Sequence, residues 1–259
     1  IAGAAMATVI SQVVVFLIFI VMLFFKDHSY ISFNLNDFTF STEILWDIIK
    51  VGLPASLSMI VMAVGQGVFN KILVHISVET VAAYQVAGRL DMLVFLPIFS
   101  IAASLTTLIG MFYGAKEFEA LRFTIRYGII SALIITIFSS ALVYIFADQV
   151  VRFFTEDESI VLIAVNFLQI FAFAYPFIAV GITTGRVLQG LGKGLPVLVI
   201  TIVRVLGVSA PLALFFVFIM EKSVEWVWYS MMLSTVVAFA IGLTWLVSTI
   251  KKLPVKKSD

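Results

Sequence analysis

The stretch TVAAYQVAGRLDMLVFLPIFSIAASLTTLIGMF, residues 80–112, decides the fold. It carries two formal charges, Arg89 and Asp91, and is otherwise almost wholly apolar. A bilayer core is crossed by about 20 apolar residues of helix, so this stretch is long enough to span. Six further stretches qualify, at 2–25, 47–74, 124–147, 159–189, 195–219 and 226–250. Pro54, Pro97, Pro176 and Pro211 interrupt them. Inside a membrane, neighbouring groups re-satisfy the backbone that a proline frees. Pro54, Pro97 and Pro176 are therefore read as helix kinks, each leaving the carbonyl four residues back without its helical donor. The expected class is an all-α integral membrane protein of seven transmembrane helices.

Composition agrees. Of 259 residues, 62% are hydrophobic and 12% charged, against about 45–50% and about 25% in a soluble domain. A net charge of +1 offers no broad basic face to nucleic acid. The absence of Cys excludes a disulfide scaffold, a thiolate metal site and a cysteine nucleophile. With two His, no metal site and no cofactor are expected. No nucleophile, base and acid converge in any motif, so an enzyme is not expected. Gly190-Leu191-Gly192-Lys193-Gly194 lacks the spacing of a phosphate loop and follows no strand. The chain opens at Ile1, inside an apolar run with no basic leader, and further sequence upstream is expected.

Orientation follows from the side on which Lys and Arg accumulate. One set of alternate connections holds Lys26, Lys50, Lys116, Arg122, Arg126, Lys193, Lys251, Lys252, Lys256 and Lys257, with Arg186 facing the same way. The other holds Lys71, Arg152 and Lys222 among the acids Asp148, Glu156, Asp157, Glu158, Glu221 and Glu225. The first set is expected to be cytoplasmic, so the C-terminus lies inside and the chain belongs to the plasma or inner membrane. Trp226, Trp228 and Tyr229 fit an outer aromatic belt, with Trp245 near the inner interface. Thr155 and Glu158 have capping-box spacing at the start of the fifth span. Glycines at 190, 192 and 194, followed by Pro196, end it.

The first and last spans resemble each other. Ala7-Thr8-Val9-Ile10-Ser11-Gln12-Val13-Val14 sets beside Met231-Met232-Leu233-Ser234-Thr235-Val236-Val237. So long an offset suits a transporter built from two similar halves. Several pieces point the same way. They are Gly52-Leu53-Pro54-Ala55-Ser56, then Ala82 to Asp91 followed by Leu96-Pro97, then Gly114-Ala115-Lys116. Phe153-Phe154-Thr155 with its acidic run, Leu188-Gln189-Gly190-Leu191-Gly192, and Arg204 followed by Pro211-Leu212-Ala213 come next. In this order and spacing they resemble the second half of the multidrug and toxic compound extrusion (MATE) family, a branch of the multidrug/oligosaccharidyl-lipid/polysaccharide flippase superfamily.

The resemblance implies a twelve-helix transporter in two lobes. Residues 1–25 would be the last helix of the N-terminal lobe and 26–46 a cytoplasmic linker. Residues 47–250 would be a complete six-helix C-terminal lobe, and 251–259 a basic cytoplasmic tail that also reads as a lipid-surface signal. The implied function is secondary active multidrug efflux: antiport of organic, often cationic substrates against H+ or Na+ by alternating access. The implied partners are the bilayer, the N-terminal lobe and small organic substrates. Half the cleft alone is expected not to transport. Some family members carry a cation-binding Glu in the helix that opens this lobe and an acid further on, where this chain has Met62 and Ile178. The coupling carboxylate is therefore expected in the N-terminal lobe. Two other functions stay open: a flippase for a lipid-linked precursor, which needs a cationic cavity, and a seven-helix receptor-like protein.

Candidate site residues follow from polarity within the spans. Met59, Met62, Gln66, Phe69 and Asn70 recur at helical spacing. They make either an adaptable, weakly polar substrate wall or ordinary helix packing. An ionisable group inside a membrane costs about 2.5–3.5 kcal/mol on insertion scales and marks function by default. That isolates Arg89, Asp91 and Arg204. At 100° per residue, Asp91 shares a face with Tyr84, Gly88 and Phe95, and Arg89 shares another with Gln85 and Leu93. Either Asp91 or Arg89 lies on a transport path, or the charges pair structurally, as Asp91 with Arg204 would. Asn166, Gln169 and Phe173 share a face of the fifth span, and Gly181 with Gly185 makes a small-xxx-small contact.

Overall fold

Apolar stretches this long, with almost no charge, leave the backbone no partner but itself, and they fold as helices. The computed structural model describes residues 2–24 and 39–254. Within them run α1 (Ala2–Phe24), α2 (Thr42–Ile76), α3 (Val78–Gly114), α4 (Phe118–Arg152), α5 (Glu158–Ala172) and α6 (Tyr175–Gly190). Then come α7, Leu195–Ile219, and α8, Glu225–Lys251. Six of these are long and apolar enough to cross a membrane by themselves, and the bent pair α5–α6, counted as one span, would bring the number to seven. Part of the expected linker, 26–38, lies outside the described residues, as do Lys26, His28 and the tail 255–259. Residues 42–46, read as linker, are the first turn of α2.

The chain divides into two units, Ile1–Glu43 and Ile44–Asp259. In the first, α1 exposes Met6, Val9, Phe16 and Phe19 around its circumference. Such a surface suits lipid or protein, not water. In the second, α3 packs on α4, α5 and α6, and α6 in turn on α7 and α8. Its core is aromatic at the end that holds Trp228, Phe167 and Tyr175. It is aliphatic at the other end, around Leu105, Ile109, Leu121 and Leu188.

Prolines act differently at each site. Pro54 and Pro97 lie inside helices that run on unbroken. Pro176 sits in the first turn of α6, and α5 meets α6 at 59°. The single helix expected over 159–189 is therefore two. Pro176 has no N–H for the carbonyl of Ala172. The Ser140 hydroxyl of α4 donates to that carbonyl instead, so the break is held from the neighbouring helix. In α7, π-helical turns at Val203–Ser209 and Phe215–Ile219 flank the short segment that holds Pro211.

Three local expectations change. Asp157, not Thr155, caps α5: its carboxylate accepts from the Ser159 N–H at 2.9 Å and the Ser159 hydroxyl at 2.6 Å. Those bonds hold its pKa below the ordinary carboxylate range. Thr155 Oγ1 accepts from the Asp157 N–H instead. Trp228 leaves the aromatic belt for the core, fully buried, while Trp226 and Tyr229 stay exposed. Close helix contact occurs at Gly190, among other glycines, rather than at Gly181 and Gly185. A Cβ on Gly190 would stand 2.7 Å from the Thr106 carbonyl of α3, whereas one on Gly181 would meet open space.

Candidate functional site

Glycine brings the first part of the site together. A Cβ on Gly65 of α2 would lie 2.2 Å from Val205 Cγ1 of α7, so the two helices touch where α2 lacks a side chain. That contact sets Arg204 beside Met62, and the Arg204 guanidinium Nη2 donates to Met62 Sδ at 2.9 Å. Along α2, Met59, Met62 and Gln66 are exposed. Phe69, expected in the same stripe, is buried at 4% exposure in the aromatic core. Asn70 is half-buried, and its Oδ1 accepts from Gln85 Nε2 of α3 over a long 3.5 Å.

On α3 the two charges diverge. Arg89 is exposed and Asp91 half-buried. The Tyr175 hydroxyl at the start of α6 donates to Asp91 Oδ1. Phe95 meets the Tyr175 ring edge-on at 5.3 Å, on the same face of α3 as Asp91. Tyr84 stacks on Trp228 at 5.9 Å and meets Phe167 edge-on at 5.7 Å. The pairing of Asp91 with Arg204 that the sequence left open is absent. The ion pairs among the described residues belong to Arg152, with Asp148 at 2.9 Å and Glu158 at 2.7 Å.

Asn166 and Gln169 stand apart from this cluster. They line a cavity of about 300 Å³ with Asp148, Arg152, Glu158 and Glu225, none of whose walls comes from α2 or α7. Asn166 Oδ1, Thr184 Oγ1 and the Trp228 indole N–H are buried without a hydrogen-bond partner among the described residues. No cluster of His, Asp and Glu among those residues could hold a metal ion. Tyr175 escaped the sequence reading. Its one local signal was its place directly before Pro176, at the mouth of a new helix.

Three comparisons bear on this arrangement. The MatE family model matches residues 54–215. The probable multidrug resistance protein NorM of Thermotoga maritima is 26% identical over 95% of this chain and 53% of its own length. The multidrug export protein MepA of Staphylococcus aureus is 29% identical over 74% of this chain and 42% of its own. The chain thus spans about half the length of the curated relatives it matches. Among solved structures, a MOP-superfamily transporter from Pyrococcus furiosus superposes with a TM-score of 0.90 at 33% identity, covering 99% of this chain and 57% of its own. A MATE protein in a bent conformation gives 0.87 at 33% identity, over 97% and 56%.

Proposed function

The chain belongs to the MatE family, and from that premise we propose that it serves as one six-helix lobe, with an additional helix, of a transporter that exports small organic compounds by alternating access. The observation that carries this reading is the exposed stripe Met59, Met62 and Gln66 on α2. It is weakly polar and deformable, and Arg204 and the Asn70–Gln85 amide pair adjoin it. Flexible thioethers re-pack around varied ligands, which is how a surface becomes promiscuous.

The export step would draw on the entry of H+ or Na+, with the coupling carboxylate in the partner lobe. Support comes from Met62 and Ile178, the positions at which some family members carry acids. Asp91 accepts from the Tyr175 hydroxyl at one of its carboxylate oxygens. The protein would lie in the plasma or inner membrane with its C-terminus cytoplasmic, in keeping with the accumulation of Lys and Arg on one side.

The test is accessibility of the stripe. The chain has no cysteine of its own, so single cysteines at Met62 and Gln66 of the full-length protein report cleanly. They are expected to react with a polar thiol reagent, and ethidium, added as an amphipathic probe, should slow that reaction. If neither position reacts in any condition, the stripe is helix packing and the reading fails.

A further inference from the structure

Among the described residues, Arg204 is an intramembrane charge without a charged partner. Arg204 carries five N–H donors in a planar fork. Among the described residues, its hydrogen bond goes to one thioether, Met62 Sδ at 2.9 Å. Thioether sulfur is a weak acceptor without charge, and a guanidinium inside a span normally pairs with an acid or a set of carbonyls. No acid among the described residues pairs with it: Asp91 accepts from Tyr175, and both ion pairs among those residues are on Arg152.

Two features aim Arg204 at the stripe. It lies in the π-helical turn Val203–Ser209, and π turns within α-helices concentrate at functional sites. The adjacent Val205 lies against Gly65, and the guanidinium reaches the stripe at Met62.

We propose that Arg204 anchors a subsite for the anionic end of an amphipathic organic substrate, a carboxylate, sulfonate or phosphate, whose apolar body lies on Met59 and Met62. The fork geometry suits two parallel hydrogen bonds to such a group. Methionine side chains shape themselves to the remainder of the ligand. This rests on the reading of the α2 stripe as a cleft wall.

A matched pair of probes tests it: 1-naphthylacetate and 1-naphthylmethylammonium share a ring system and differ in the sign of their charge. Equilibrium binding to the full-length protein in phosphatidylcholine nanodiscs is expected to favour the anion by about tenfold or more, the scale of a hydrogen bond to a charged group. Arg204→Gln should remove that preference by weakening the anion and relieving the repulsion of the ammonium, and retained binding of the cation shows that the variant is folded. Arg204→Lys should keep part of it. Should Arg204→Gln not fold, the wild-type preference decides alone. Addition of phosphatidylglycerol identifies the occupant. Competition with naphthylacetate in the wild type alone assigns the subsite to a lipid headgroup, and its absence assigns it to a free organic anion. Equal or tighter binding of the cation, unaltered by Arg204→Gln, overturns the proposal and leaves the cleft reading intact. Binding of neither probe removes the cleft reading and the subsite together.

Discussion

Inside the spans of this lobe a carboxylate and a guanidinium have each found an uncharged partner: Asp91 a phenol, Arg204 a thioether. For Asp91 the partner is fully buried and comes from α6, across the α3–α6 interface. Tyr175→Phe would remove the donor and leave the ring, at a cost of about 1.5–3 kcal/mol, the scale of a hydrogen bond to a charged group. Asp91→Asn keeps an acceptor oxygen and should cost less. Thermal unfolding of the purified protein in detergent is expected to rank wild type above Asp91→Asn, and that above Tyr175→Phe. Equal losses would show that the hydrogen bond is not what positions the two helices. The divergence of Arg89 from Asp91 was legible from 100° per residue. Trp228 was not legible. An indole at the end of a span reads as an interfacial anchor, and only the enclosing Tyr84 and Phe167 rings place it in the core.

At the scale of the helices, existence was plain in the sequence and continuity was not. Pro176 announces a fault, yet a fault becomes a 59° break only where another helix supplies the missing donor, as Ser140 does. The small-residue contacts divide in the same way. Gly181 and Gly185 have the familiar spacing, but the glycines that leave no room for a Cβ lie elsewhere, among them Gly190 against α3 and Gly65 against α7. Gly65→Ala should force α2 and α7 apart, at about 1–3 kcal/mol for an overpacked interface. Val205→Ala in the same protein should recover part of that loss. A double-mutant cycle read by thermal unfolding is expected to give a coupling of at least about 0.5 kcal/mol, and simple additivity would place the clash elsewhere. Because Arg204 precedes Val205, the Gly65→Ala variant should also loosen the guanidinium from Met62.

For the whole molecule, a net charge of +1 conceals a basic side and an acidic side. Cysteines at Glu156 and Lys116 test which is which, since the connections that hold them lie at opposite ends of α4. A membrane-impermeant thiol reagent added to intact cells is expected to label the Glu156→Cys variant. The Lys116→Cys variant should label only after the membrane is opened, and the reverse pattern would invert the proposed orientation. By itself the sequence determined what depends on local composition: seven apolar stretches, the class they imply, and the charges rare enough to matter. Runs of hydrophobicity and single charges are properties of adjacent residues, so a one-dimensional reading captures them. Tertiary structure alone decided the partners, Tyr175 for Asp91 at 84 residues' separation and Met62 for Arg204 at 142. Those pairings follow from how closely helices approach at a glycine and how far a proline turns them. Neither distance is written in the periodicity of one helix.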